Sequence, residues 1–157
     1  MTLFLIFLFL AVYNAGCMTT LQLQHYGIYP FVGRESFANY MQANNRAAAI
    51  PTIIPAMLLL VTSLVLAAER PPFVRASEAV IAVALNVVAF ASTFRWQRRL
   101  QGEMAVSGFD EQRVRMLINT NWIRTVSYLV MAVMAIAIVA RLNPAAALQL
   151  MPQNSAP

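Results

Sequence analysis

The sequence predicts an all-α integral membrane protein, an antiparallel four-helix bundle with a short interfacial amphipathic helix between spans one and two. Three observations lead there. Hydrophobic residues make up 60% of the 157 positions and charged residues only 11%. Mean hydropathy is +0.63, outside the usual range of soluble domains. Four apolar runs are each long enough to cross a hydrocarbon core, which takes roughly 20 helical residues. The chain therefore reads as one four-span domain, residues 1–141, followed by a loosely ordered tail, 142–157.

Span one covers about residues 2–24, TLFLIFLFLAVYNAGCMTTLQLQ. It lacks the basic leader of a secretory signal, and Asn14 stands where a lipoprotein cleavage box needs an aliphatic residue, so an uncleaved span is expected. Pro30 and Gly33 then break the chain. Phe37, Tyr40, Met41 and Asn44 recur at helical spacing, which predicts the interfacial helix. Span two, about 47–68, carries Pro51 and Pro55 at its start, where the second proline should bend the helix or free a carbonyl. Span three, about 77–94, ends at the arginine-rich RWQRRL. Span four, about 116–140, belongs to a longer helix that begins at Asp110, a suitable N-cap, with Glu111 in its first turn.

Charge sets the expected orientation. All 11 basic residues are arginine, and the formal net charge is +5. Arg34, Arg46, Arg95, Arg98, Arg99, Arg113 and Arg115 fall in the first and third connections, with Arg124 near the same end; Arg70, Arg75 and Arg141 fall at the other. The arginine excess places both termini on the non-cytoplasmic side, and the expected setting is a bacterial inner membrane. Because the arginines flank apolar runs, their partner is the lipid bilayer with its anionic headgroups, and no nucleic acid is expected.

Several chemistries are excluded by residue content. Without lysine there is no Schiff-base or phosphate-loop lysine, and one histidine with one cysteine cannot make a zinc cluster. No glycine-rich nucleotide loop and no midmembrane carboxylate occur, so no metal or other cofactor is expected, and proton-coupled transport is disfavoured. Transport of a small anion past Arg124 would need a continuous polar path, which the sparse midmembrane polarity does not supply.

The expected topology brings polar residues of several spans to one end. Asn121, Arg124, Thr125 and Tyr128 share a face of span four, and Asn14, Met18, Gln22 and His25 form a comparable stripe on span one. Asn86 lies midway along span three, with Phe90, Thr93 and Gln97 toward the same end; Asn45 and Arg46 precede span two. Each has two readings. Arg124 either snorkels to headgroups or faces inward, where it needs an amide, a carbonyl, a bound anion or Glu35. His25 is either an interfacial histidine or a base, and the asparagines are either interhelical hydrogen-bond glue or ligand contacts. Trp96, Trp122, Tyr26, Tyr29 and Tyr40 fit an aromatic belt, Cys17 a small buried apolar residue, and Thr19, Thr20, Thr62 and Ser63 groups bonded to their own helices.

The polar connection HYGIYPFVGRESFANYMQANNR, the prolines at the start of span two and the N-x-x-R-T of Asn121, Arg124 and Thr125 resemble the small four-helix membrane proteins grouped with the anthrone oxygenases. The resemblance covers about residues 1–141. It departs at the end of span three, where FASTFRWQRRL replaces a stretch containing asparagine and proline. It implies cofactor-independent oxidation of a lipophilic aromatic molecule, with His25, Asn121 and Arg124 as the catalytic set. Asn14, Met18, Gln22, Asn45, Asn86, Thr93 and Tyr128 would then contact the substrate. The other function class is a non-enzymatic accessory subunit of a membrane complex, or a homo-oligomer, docking through a basic loop from Arg95 to Arg115.

Overall fold

The computed structural model describes residues 1–142, and every regular element among them is helical. The tail expected to be loosely ordered lies outside the described residues from 143 on, while Leu142 ends the last helix. Helix α1, Thr2–Thr20, continues through a π-helical turn, Leu21–His25, into a 3₁₀ segment, Tyr26–Phe31. Helix α2, Phe37–Ala47, is the amphipathic element expected before span two, with Phe37 and Met41 buried. A second π-turn, Ala49–Ile53, leads into α3, Ile54–Glu69. Helix α4, Ala76–Ser92, passes through a third π-turn, Thr93–Gln97, into α5, Arg98–Ser107, and α6 runs Glu111–Leu142.

Four of these continuous stretches are long and apolar enough to cross a membrane: Thr2–Phe31, Ala49–Glu69, Ala76–Ser107 and Glu111–Leu142. That is what an integral membrane protein requires. The third stretch does not stop at RWQRRL but stays helical to Ser107, so the expected basic loop from Arg95 to Arg115 is mostly helix. Arginine halts burial in lipid, yet it is a good helix former, and only the backbone can end the helix. It ends at Gly108, whose φ of 81° lies in the left-handed region that glycine tolerates.

At the start of α6 the Asp110 carboxylate accepts the Arg113 backbone N–H at 2.8 Å. Asp110→Ala should lower the unfolding free energy in detergent by about 1 kcal/mol, the usual worth of such a cap; an unchanged melting curve would show the cap to be idle. The carbonyl expected to be freed by the second proline is also visible. Pro55 has no N–H to offer the carbonyl of Pro51, and that carbonyl accepts the Tyr13 hydroxyl at 3.1 Å.

Helix packing divides the interior in two. Helices α1, α3, α4 and α6 are neighbours in a closed ring, α1 touching α6 and α3, and α4 touching the same two. Their apolar faces form one core, including Phe4, Phe7, Leu59 and Met131. A second core joins Tyr26, Tyr29, Phe37, Met41, Leu100, Met104 and Leu117, where α2 and α5 pack together beside α6. It exists because α6 has 32 residues, about 48 Å at 1.5 Å per residue, against a hydrocarbon core of about 30 Å. The surplus length builds a cap in which α2 and α5 cover the helix ends.

Candidate functional site

Between the two cores lies a polar layer. Its centre is Arg124, only 9% exposed, and its geometry settles the choice left open by sequence in favour of an inward-facing guanidinium. Nε donates to Asn121 Oδ1 at 2.9 Å and Nη2 makes a further short bond to the same oxygen. Nη2 also donates to the Tyr26 hydroxyl at 3.2 Å, and Nη1 to Thr93 Oγ1 at 3.5 Å. Four of the five N–H groups of a guanidinium are thereby used. All the acceptors are neutral, and among the described residues no carboxylate is ion-paired with Arg124, Glu35 included.

Asn121, fully buried, is held in turn. Its amide donates to Gln22 Oε1 at 2.7 Å and to Thr125 Oγ1 at 3.3 Å, while Gln22 Nε2 donates to the Ile118 carbonyl at 3.2 Å. Gln97, also buried, bonds Thr120 Oγ1 at 3.2 Å and accepts from Ser92 at 3.3 Å. Arg124 therefore sits on a braced platform contributed by three helices. A buried charge without a counter-ion is costly unless strongly solvated by dipoles, and this platform is the solvation.

A cavity of about 290 Å³ opens in front of Arg124, with His25, Tyr26, Asn44, Asn45, Thr93 and Arg98 among its walls. His25 Nε2 lies 3.0 Å from Asn44 Oδ1 and 3.3 Å from the Tyr29 hydroxyl. An amide oxygen can only accept, so the imidazole proton belongs on Nε2 and the Nδ1 lone pair is the ring's proton acceptor. Tyr40 packs against the imidazole at 6.5 Å between ring centroids, and burial pushes its phenol above the ordinary value, so it stands there as a neutral ring. Asn45 donates to the Gln101 carbonyl at 3.3 Å while its buried Oδ1 has no partner in the protein.

All three π-turns border this cavity, contributing Leu21 and His25, Thr52 and Ile53, and Thr93 and Gln97. An i+5 turn swells the helix by one residue and redirects the side chains around it, which is why such turns gather at functional sites. A smaller void of about 50 Å³ continues inward past Met18, Thr93, Arg124 and Tyr128.

The residues singled out by sequence thus divide. His25, Asn45, Thr93 and Arg124 line the main cavity, Met18 and Tyr128 the deeper void, and Asn121 and Gln22 stand behind Arg124. Asn14 and Asn86 do not reach the site. Asn14 donates to the Leu10 carbonyl at 2.8 Å, and Asn86 donates to Ser63 Oγ at 2.8 Å and to Met131 Sδ at 3.3 Å, both inside the apolar core. Asn86 is interhelical glue, and neither residue lines the cavity or the deeper void.

Two aromatic assignments are corrected as well. Tyr26 and Tyr29, expected in an aromatic belt, are 1% and 0% exposed, and Tyr26 is a direct partner of Arg124. A signal for Tyr26 was present, since the four-residue stripe Asn14, Met18, Gln22 extends to position 26. Cys17 is partly and not fully buried, its thiol 3.7 Å from the Pro51 carbonyl. Thr19, Thr20, Thr62 and Ser63 do bond their own helix carbonyls.

Comparison with protein-family models, curated proteins and solved structures finds no match to this chain.

Proposed function

We propose that this chain is an antiparallel four-helix bundle of the bacterial inner membrane, both termini non-cytoplasmic, that binds a lipophilic aromatic molecule with an acidic hydrogen and promotes its oxidation by dioxygen without a cofactor, in the manner implied by its resemblance to the anthrone oxygenases. One observation carries this reading. A proton acceptor, His25, and a buried guanidinium with no carboxylate partner among the described residues, Arg124, line the same cavity.

The chemistry follows from those two groups. An anthrone-type ring seated in the cavity loses a proton from its methylene carbon to His25 Nδ1, and the electron pair delocalises onto the ring carbonyl oxygen. That oxygen faces Arg124, whose remaining Nη1 N–H and charge stabilise it in a setting where bulk water is largely replaced by fixed dipoles. Dioxygen takes up the carbanion to form a carbon–oxygen bond. Protonation gives a hydroperoxide, and loss of water leaves the new carbonyl. The balance closes: one oxygen atom stays in the quinone, and the other leaves as water with the two methylene hydrogens.

Anthrone consumption and oxygen uptake by the purified protein in detergent test this. His25→Gln should lower the rate about 10²- to 10⁴-fold, the usual contribution of a positioned base, while leaving substrate affinity nearly unchanged. Wild-type protein that consumes anthrone no faster than buffer would sink the reading, and co-purification of a stable larger assembly in that case would favour the accessory subunit.

A further inference from the structure

A second, larger space adjoins the polar cavity. It is a groove of about 630 Å³ between the first helix, from Val12 to Leu21, and the Ala47–Thr52 segment that opens span two. It shares Leu21, His25, Asn44, Ala48 and Thr52 with the cavity, so the imidazole stands at the junction of the two. The floor of the groove is wide because its residues are small. A Cβ placed on Gly16 would meet nothing within 4 Å, and Ala47 and Ala48 face it from the other wall. The Tyr13 hydroxyl and the Cys17 thiol both reach the Pro51 carbonyl, which ties the two walls together without filling the space.

We infer that the substrate of the proposed oxidation carries an alkyl or isoprenyl side chain, and that this groove holds the chain while the acidic ring occupies the cavity at His25 and Arg124. The inference rests on the oxidation reading above. The occupant follows from the way polarity is distributed along one connected space. At one end is a buried guanidinium, with Arg98 beside it, offering charge to a single acidic head. At the other is a mostly apolar trough, running about 14 Å along the ten residues from Val12 to Leu21 at about 1.5 Å per step. A bare tricyclic ring would use the cavity and leave the trough empty. A ring with a chain fills both, and the groove, lying along the membrane-facing side of α1, lets such a molecule slide in sideways from the bilayer without lifting its chain into water.

The test uses the full chain in phosphatidylcholine nanodiscs and a 1,8-dihydroxyanthrone bearing a ring-attached decyl chain that ends in a diazirine. Illumination should label the 12–20 and 47–52 segments about tenfold more heavily than lipid-facing residues such as Phe9 and Val133, as expected for a chain enclosed by the protein. Arg124→Gln, which removes the anchor for the head, and Gly16→Leu, which fills the trough, should each bring that labelling down to the lipid-facing level; melting curves check that both variants fold. Even labelling around the helices, or groove labelling that survives Gly16→Leu, would overturn the inference. So would equal, Arg124-dependent groove labelling by a phosphatidylglycerol carrying the diazirine on its acyl chain, which would make the groove a phospholipid site. Oxidation of unsubstituted 1,8-dihydroxyanthrone without groove labelling would remove this inference and leave the oxidation reading standing. Neither oxidation nor labelling would remove both.

Discussion

Arg124→Gln is expected to lower oxidation of an acidic aromatic substrate by about 10²- to 10³-fold, the range seen when a donor to a developing oxyanion is removed, with the helices remaining folded. Two costs of opposite sign make the stability change small. Losing the guanidinium strips Asn121 Oδ1 and the Tyr26 hydroxyl of their donors, and an unsatisfied buried acceptor costs about 1–3 kcal/mol. Against that, the folded state no longer carries a buried cation without a counter-charge, whose effective penalty is several kcal/mol before its hydrogen bonds are counted. Arg124→Lys separates charge from shape. It keeps the positive charge but not the planar fork that spans Asn121, Tyr26 and Thr93, so its activity should fall between wild type and Arg124→Gln. Steady-state oxygen uptake and thermal unfolding of the three proteins in one detergent make the comparison. Equal turnover in all three would show that Arg124 is a structural cation only.

The parts of this arrangement legible in the sequence are those that follow from periodicity and hydropathy. Four long apolar stretches and an amphipathic helix ahead of span two were readable because burial in lipid or against a neighbour imposes a pattern on every turn. The convergence of His25, Asn45, Thr93, Asn121 and Arg124 was readable because alternating spans return their ends to the same side. What escaped the sequence was local and geometric. Three helices carry a π-turn at the cavity, and no residue type announces one: LQLQH, AIPTI and TFRWQ have no common feature. The helix beyond Phe94 escaped because arginine reads as the end of a membrane span, whereas it ended only contact with lipid and left α5 to pack Leu100 and Met104 on Phe37 and Met41. Tyr26 continues the spacing of Asn14, Met18 and Gln22, yet the same logic concealed it. A tyrosine at the expected depth of the interface is usually a belt residue, and only the platform beneath Arg124 shows why this one turns inward.

Asn121→Asp should lower activity about 10²- to 10³-fold and stabilise the fold, a pairing that no merely structural role for the two residues would give. Asn121 acts through Arg124: it is a positioning residue, and its Oδ1 accepts two of the guanidinium's N–H groups. Aspartate has the same shape but carries a full negative charge, shared by that oxygen and its neighbour. Arg124 is already buried, so the only new desolvation is that of the carboxylate, and two guanidinium N–H groups already converge on the atom that becomes one of its oxygens. At an effective dielectric near 20, two charges about 4 Å apart attract by about 4 kcal/mol, enough to offset the several kcal/mol lost by the carboxylate on leaving water. The amide donor to Gln22 is lost, but rotation of the Gln22 side-chain amide can turn an N–H toward the new carboxylate, exchanging its bond to the Ile118 carbonyl for a charge-assisted one. A net gain of about 1 kcal/mol is expected, a charge-assisted pair being roughly twice as strong as the neutral bond it replaces, and the melting temperature should rise. For the substrate the effect is the reverse. The cavity then presents a neutral ion pair where wild type presents an unpartnered cation, and a developing oxyanion loses about 3–4 kcal/mol of stabilisation, a fall in rate of about 10²- to 10³-fold. Thermal unfolding and oxygen uptake measured on one preparation decide the matter. A variant that melts earlier while oxidising substrate at the wild-type rate would mean that the charge on Arg124 serves the fold and not the ligand.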